Sequence, residues 1–567
     1  MLGRIVTALA LALLLGSTAH AQDPDPSDPT TAAPATLHGA LRLSLEDAIA
    51  MGLKNNLNVE VSRHDPLASW EEFRSAWGAY DPQMFAEFGY ESRETPVASS
   101  LQTNPRFQER EVGGRSGVQG KIPWLNATYG VVYDGMQETT NSTIQDLSPS
   151  NNVSLAAEAS VPLLKNLIWD RDWTRVKQTE ILYDISGEEF RRQVMDTVQT
   201  MENFYWNLVA TEDAVRVAEK SLETAEALLR QTKTQYEVGV VSRVEVTEAE
   251  AGMAEREVNL IRTRNLYRRT QDQLMNEVLG RGLRPGSRLE IEPSTRPDDY
   301  IVYQIDVEEA THKAFENRPE LASAYDEIER RKLELSFRKN QKLPQLDLKV
   351  RYWLQGISGE TNPEPGFTGG PRAPVRVPSN YFSAHNTWFS RQKADSWSAM
   401  GVLSFPIGNR AAGHQANKAE IELRKAASQV ARLRQGIILE VRDAARNLES
   451  AQEGIEAAER QRIASQEQLR AERIRLEQGE STPFDVLLRE RDLVDAEVNK
   501  IDALRVYRNS VVDLDRRQGT ILRTRNILID DSRRRRPQSP AGQRATMNRI
   551  RAASDPRQAP RRRRQGR

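Results

Sequence analysis

Two passages of this chain recur later in it at constant spacing, and that duplication limits the fold more than any other feature. Leu45 aligns with Val307, Ala48 with Ala310, Leu53 with Phe315 and Asn55 with Asn317; farther on, Pro82-Gln83 aligns with Pro344-Gln345 and Tyr90 with Tyr352. A second set aligns Gly239 with Gly479, Val246 with Val486 and Glu257-Val258-Asn259 with Glu497-Val498-Asn499, then Ile261, Tyr267 and Leu274 with Ile501, Tyr507 and Leu514. The 567 residues are therefore expected to be two copies of one plan. Each copy reads as short helix, strand region, very long helix, turn and long helix.

The segment from Asp170 to Glu237 has no proline, and its one glycine, Gly187, lies near its start. A continuous helix there would be on the order of 100 Å long. Its counterpart runs from Ala411 to Gln478. Helices of that length need other long helices to pack on. Leu222, Ala225, Leu229, Thr232 and Tyr236 step by three and four, and Val246, Ala249, Met253 and Leu260 continue after the turn, a heptad seam with small residues that permit close approach. The stripe is narrow and the remaining positions are charged, which suits a thin wall with water on both sides.

The strand regions alternate. Met84, Ala86, Phe88 and Tyr90 face away from Gln83, Glu87 and Glu91, although Phe85 breaks the pattern. Leu346, Leu348, Val350, Tyr352 and Leu354 face away from Gln345, Asp347, Lys349 and Arg351. Val153 to Val161 and Trp397 to Phe405 behave likewise, and the first copy adds Val118 to Trp124 and Ala127 to Tyr133 around a tight turn at Leu125-Asn126. That makes six candidate strands, against four if the extra pair is excluded. Alternation over about ten residues with aromatics near the ends marks a transmembrane barrel strand; a half-buried soluble strand is the plainer reading. The N-terminus favours the former. Met1 to Arg4 is basic, Ile5 to Leu15 is apolar and Ala19-His20-Ala21 fits a cleavage site, so residues 1–21 read as a secretory signal peptide. With a mean hydropathy of -0.63, any membrane insertion is expected to use strands, closed into a barrel by several chains. The Pro/Gly-rich segment Gly356 to Asn386 reads as a surface loop.

The expected division is 1–21 signal peptide, 22–40 flexible linker, 41–280 first copy, 281–304 connecting segment, 305–525 second copy and 526–567 Arg-rich tail. Within the copies the strands are expected over about 82–163 and 344–407, and the long helices over about 170–280 and 411–520.

Leu43-Ser44-Leu45-Glu46-Asp47-Ala48 followed by Asn55-Asn56, with its repeat Val307 to Asn317, is one carrying motif. The other is Tyr236-x-x-Gly239-x-x-Ser242-x-x-Glu245-Val246-x-x-Ala249-Glu250, repeated as Gly479-x-x-Thr482-x-x-Asp485-Val486. In order, duplication and helix length, residues 40–525 resemble the TolC-like outer membrane efflux proteins. The resemblance implies a mainly α fold with a transmembrane β region: a homotrimer with an outer-membrane β-barrel and an α-helical barrel crossing the periplasm, localised to the cell outer membrane. It implies a passive channel of a tripartite efflux or type I secretion system. The partners implied are a periplasmic adaptor (membrane fusion) protein, an inner-membrane pump or ABC exporter, and outer-membrane lipid.

By that resemblance the turns at Gly239 and Gly479 form the periplasmic end, with adaptor docking by Gly239, Val240, Val241, Ser242, Gly479, Glu480, Ser481 and Thr482. Their residues also satisfy a plain helical hairpin, with glycine suited to a positive-φ cap and Ser242 or Thr482 to the next N-cap. Asp485 and Glu245 fall where family members place acidic rings that close the tunnel; each also suits a helix N-terminus, worth about 0.3–1 kcal/mol. Leu488 stands where a second acid would follow, and Leu476 and Ser481 replace the Tyr and Arg of the best-known latch, which points to a partly apolar gate.

No enzyme is expected. The mature chain's five histidines (His38, His64, His312, His385, His414) are not paired at ligand spacing, there is no P-loop or hydrolase elbow, and pairs such as Glu188-Glu189 read as solvated faces. No metal, cofactor or nucleic-acid partner is expected. The absence of cysteine excludes a lipid-modified N-terminal Cys, disulfides and thiolate chemistry. The net charge of -1 conceals an acidic body and a basic end, since Asp531 to Arg567 holds 13 Arg, no Lys and 2 Asp. That tail supports the alternative reading, an exported coiled-coil scaffold that binds polyanions. The transported substrate is not legible.

Overall fold

The computed structural model describes residues 38–97, 105–283, 288–297, 302, 304–366, 370–375, 377, 379–389 and 394–529. The expected signal peptide, residues 22–37 of the expected linker and residues 530–567 of the Arg-rich tail lie outside the described residues. No described helix is long and apolar enough to cross a membrane.

In chain order, strand β1 (His38–Leu43) leads into helices α1 (Leu45–Asn55) and α2 (Leu57–Trp77). Strands β2 (Gln83–Pro96), β3 (Arg106–Ile122), β4 (Ala127–Thr140) and β5 (Leu147–Pro162) follow, then α3 (Arg171–Glu237) and α4 (Arg243–Leu279). After β6 (Arg288–Pro293) come α5 (Val307–Asn317), α6 (Pro319–Asn340) and β7 (Gln345–Thr361), the one-turn α7 (Ser383–Asn386) and β8 (Ala394–Ser404). The chain continues through α8 (Arg410–Glu477) and α9 (Pro483–Gln518) to the one-turn α10 (Ile521–Thr524). Helices α3 and α8 have 67 and 68 residues, matching the proline-free runs of the sequence.

The elements sort into two compact units, and each unit draws on both halves of the chain. The first contains the described residues of 1–57, 204–300 and 461–502. Its core joins Leu43 and Ala48 to Tyr205, Leu208 and Val209 of α3, Leu274 and Val278 of α4, and Ile291 of β6. Strands β1 and β6 run parallel, from His38 beside Arg288 to Leu43 beside Pro293. The buried Tyr205 hydroxyl donates to the Leu43 carbonyl at 3.1 Å and accepts from the Thr295 amide at 2.9 Å, so this tyrosine fastens the pair to the long helix.

The second unit holds the described residues of 58–203, 301–460 and 503–567. Here α5 and α6 lay Ala310, Ala314, Leu321 and Ile328 against Ala426, Val430, Ile437 and Val441 of α8. Charge fastens it further. Glu202, fully buried, takes two hydrogen bonds of 2.8 Å from the Arg525 guanidinium. Arg516 bridges Asp196 at 2.6 Å and Glu320 at 2.7 Å, and Arg318 reaches Glu440 at 2.7 Å.

The six remaining strands form one antiparallel sheet in the order β2-β3-β4-β5-β7-β8, so the six-strand count holds and the four-strand count does not. Direct partners place Met84, Val118, Val131, Ala157, Tyr352 and Trp397 in one row across the sheet. Side chains two residues on share that face. It carries Phe88, Tyr129, Leu155, Val161, Leu348, Val350 and Leu403, with no Asp, Glu, Lys or Arg along Met84–Tyr90, Val118–Ile122, Ala127–Gly135, Val153–Val161, Leu346–Leu354 or Trp397–Leu403. Asp395, to which the Tyr352 hydroxyl donates at 3.2 Å, ends the uncharged band in β8. The opposite face carries Glu87, Arg115, Asp134, Glu158, Lys349 and Arg351, with Arg115 and Asp134 3.4 Å apart. Met84, Phe88, Trp397 and Leu403 are largely exposed, and the outer edges of β2 and β8 have no strand partner among the described residues.

Four expectations are corrected. Each "short helix" is followed by a second helix, α2 or α6. Pro66 lies inside α2, and Pro319 stands at the first position of α6, where its missing N–H leaves no helical bond unmade. The segment read as a connection contains β6 and the one read as a linker contains the start of β1; their pairing across some 250 residues leaves no local periodicity to read. Gly356–Thr361 is strand, not loop, and Ala384 and Trp388 beyond it are buried. Glu188 is buried while Glu189 is exposed, because consecutive helical residues point about 100° apart.

Candidate functional site

The two long hairpins turn at Gly239 and Gly479, both in the first unit. Their φ values are +81° and +76°, a region where any side chain is strained. Around each, the same two bonds close the preceding helix. The Gly239 amide donates to the Tyr236 carbonyl at 2.9 Å and the Val240 amide to Gln235 at 2.8 Å. The Gly479 amide donates to Leu476 at 3.1 Å and the Glu480 amide to Arg475 at 2.9 Å. This is the Schellman pattern, which satisfies terminal carbonyls and reverses the chain.

Three residues later each turn starts the next helix in the same way. The Ser242 hydroxyl accepts from the Glu245 amide at 3.4 Å, and the Glu245 carboxylate accepts from the Ser242 amide at 3.3 Å. The Thr482 hydroxyl accepts from the Asp485 amide at 3.3 Å, while the Asp485 carboxylate accepts from the Thr482 amide at 3.3 Å and hydroxyl at 2.7 Å. Both are capping boxes. The Thr482 hydroxyl and backbone bonds, with the Ser481 hydroxyl and Arg489, hold the Asp485 carboxyl below its usual value. The two acids singled out as gate candidates are thus engaged in caps.

At the turns Val240, with Val238 beside it, is strongly exposed, as is Phe484; Val241 and Ser481 are partly covered and Ser242, Glu480 and Thr482 exposed. Ser481 donates to Glu472 at 2.6 Å across its turn, and Lys233 pairs with Glu250 at 2.8 Å across the other. Leu488 is two-fifths exposed, whereas Val486 and Leu487 pack with Leu228 and Leu469, flanked by Leu476. So Leu476 belongs to an apolar core of α3, α8 and α9 just inside the turns.

Beside that core lie two buried charged residues the sequence reading missed. Arg256 is buried and donates to the Leu487 carbonyl at 3.2 Å and to Glu255 at 3.1 Å. Glu490, 4% exposed, has one carboxylate oxygen buried with no hydrogen-bond partner. Burial pushes its carboxyl above the usual range, opposed by Arg256, Arg473 and a bond with Thr224. A signal existed. Arg256 falls between Met253 and Leu260 on the heptad seam, and Glu490 between Val486 and Leu493, so both are charges at apolar positions. Among the described residues no group of His, Asp and Glu is arranged to hold a metal ion.

The sequence matches the family model described as "Outer membrane efflux protein" over residues 119–280 and 310–520. No curated protein matches it. Several solved structures share its fold. A membrane protein from Pseudomonas aeruginosa is 16% identical, with 84% of this chain and 90% of that one covered at a TM-score of 0.58. The Campylobacter jejuni CmeC outer membrane channel is 14% identical, with 86% and 90% covered and a TM-score of 0.58. The open state of the Neisseria gonorrhoeae MtrE outer membrane channel is 16% identical, with 84% and 89% covered and a TM-score of 0.57.

Proposed function

The chain belongs to the outer membrane efflux protein family, and from that membership we propose that it is the passive outer-membrane channel of a tripartite efflux or type I secretion system. It is an outer-membrane protein that extends into the periplasm. The observation that carries the channel reading is the six-stranded sheet: one face without charge, the other charged, and both edges open. Such a sheet is out of place in water, where an exposed apolar face and open edges promote association. It fits a barrel wall with lipid outside and water inside. Three copies would supply eighteen strands, a size that leaves an aqueous lumen. A polyanion-binding scaffold has no use for that face.

In this reading the halves of the chain are two copies of one plan, and their long helices line a periplasmic tunnel. The hairpin turns form its periplasmic end. Val240, Val241, Ser242, Glu480, Ser481 and Thr482, with Gly239 and Gly479 shaping the turns, dock a periplasmic adaptor. Asp485, Glu245 and Leu488 narrow the opening. An inner-membrane pump or exporter supplies the energy. The test is to purify the full-length protein from outer membranes and measure its mass and its conductance in planar bilayers. A three-copy particle with steady conductance supports the reading; a water-soluble monomer indifferent to lipid would sink it.

A further inference from the structure

Of the described residues between β7 and β8, 362–372 are tied to a turn of the sheet and 379–389 lie on its uncharged face. Asn362 donates to the carbonyls of Ser142 and Gln145 at 2.8 and 2.9 Å, and Arg372 pairs with Asp146 and donates to the Thr143 carbonyl at 2.6 Å. These bonds tie the segment's start to the turn between β4 and β5. Its later part, residues 379–389, packs on the strands themselves. Ala384 and Trp388 cluster with Val153, alongside Tyr133, Leu155 and Leu354. All four strand residues belong to the uncharged face. The Tyr133 hydroxyl bonds Tyr381 at 3.2 Å and His385 at 3.0 Å. Gly135 and Gly356 leave the room: a Cβ at either would collide with Tyr381 or with the Ala384 carbonyl.

The composition of this piece is unusual for a surface loop. Ser379 to Phe389 contains Tyr381, Phe382, Trp388 and Phe389, and no Asp, Glu, Lys or Arg. Phe382 is 66% exposed and Phe389 88% exposed. Their neighbours Tyr381, Ala384, His385 and Trp388 pack on Tyr133, Val153, Leu155 and Leu354, toward the end of the uncharged band distant from the helices. From Leu346 to Leu354 that band runs about 26 Å along the strand, about 20 Å along the membrane normal at a barrel strand's tilt, most of the roughly 25 Å apolar belt. The two phenylalanines therefore sit at the height where aromatic rings meet both hydrocarbon and headgroups.

We propose that residues 379–389 form an aromatic foot on the lipid side of the sheet, inserting Phe382 and Phe389 at the hydrocarbon–headgroup boundary of the outer leaflet. The occupant is lipid because the foot continues a face whose partner is lipid; the inference rests on the channel reading of that face. The tyrosine, histidine and tryptophan hold the foot down, and the two exposed rings make the contact.

The chain lacks cysteine, so single cysteines carry an environment-sensitive nitrobenzoxadiazole label without background. Three full-length variants are reconstituted in phosphatidylcholine vesicles: Phe389→Cys on the foot, Val131→Cys on the uncharged face and Glu158→Cys on the charged face. Each is quenched with brominated phosphatidylcholine and with aqueous iodide. The expected result is loss of fluorescence to bromolipid at 389 and 131 and loss to iodide at 158. If 131 is quenched by bromolipid but 389 only by iodide, the foot lies in water and the inference falls while the channel reading stands. If 389 is shielded from both, the foot packs against another copy, and the inference falls as well. If 131 is itself quenched only by iodide, the face is not lipid-facing and both fall.

Discussion

Two buried carboxylates show how differently charge is used in this molecule. Glu202 is fully enclosed and answered by the fork of Arg525 at 2.8 Å on both oxygens. Removing one member of such a pair leaves an uncompensated buried charge, which costs about 3–5 kcal/mol. Arg525→Ala is expected to lower unfolding stability by that amount in denaturant titration, and adding Glu202→Gln is expected to recover most of it. Glu490 is less well answered. Burial raises its folded value above the 4.5 of a free glutamate, so the folded protein holds a proton that the unfolded chain releases. Its contribution is therefore favourable below about 4.5 and declines as pH rises through the raised value. The protection factors of the amides around Val486 and Leu487, that is exchange corrected for its intrinsic base catalysis, should fall from acid to neutral pH, and Glu490→Gln should flatten that decline. Neither role was equally legible. Glu490 announces itself as a charge on a heptad seam, but Glu202 meets a partner 323 residues away, and no local pattern encodes that.

At the scale of elements, the sequence was most readable where one local rule acts alone. A proline-free run ending in Gly239 or Gly479 specifies a helix and its cap, and alternation from Leu346 to Leu354 specifies a strand and its uncharged and charged faces. It was least readable where tertiary contacts decide, as in β1 with β6. The hairpin turns lie between these cases. Ser242 and Thr482 were recognisable as caps, whereas Glu245 and Asp485 suited both a helix N-terminus and a gate, and the bonds they make are capping bonds. The two roles separate by substitution. Thr482→Ala removes the cap hydroxyl and keeps the charge, at about 1 kcal/mol of local stability. Asp485→Asn removes the charge and keeps a side-chain oxygen for the cap. If Asp485 lines the opening in three copies, single-channel recording should show cation preference reduced in Asp485→Asn and retained in Thr482→Ala. Equal selectivity in both variants would leave Asp485 as a cap alone.

For the whole molecule the decisive question is how the open edges of the sheet are satisfied. Strand β2 at one edge and β8 at the other belong to the same chain, so a copy that pairs its β2 with a neighbour's β8 uses two different surfaces. Such heterologous contacts close into a ring or run on as a filament. A barrel in lipid requires closure, because an open backbone edge in hydrocarbon leaves donors and acceptors without partners. Closure at three copies makes a sharp prediction, again helped by the absence of cysteine. Glu87→Cys lies in β2 and Ser398→Cys in β8, both on the charged face that the channel reading turns to water. A flexible water-soluble bismaleimide should leave either single variant as a monomer on a denaturing gel. The double variant should give covalent dimers and trimers, with the ladder stopping at three. Dimers from a single variant would mean that like edges meet, and a ladder continuing past three would mean that the ring does not close there. Either outcome would remove the physical basis for an eighteen-strand wall, and the uncharged face of the sheet would then need a different partner.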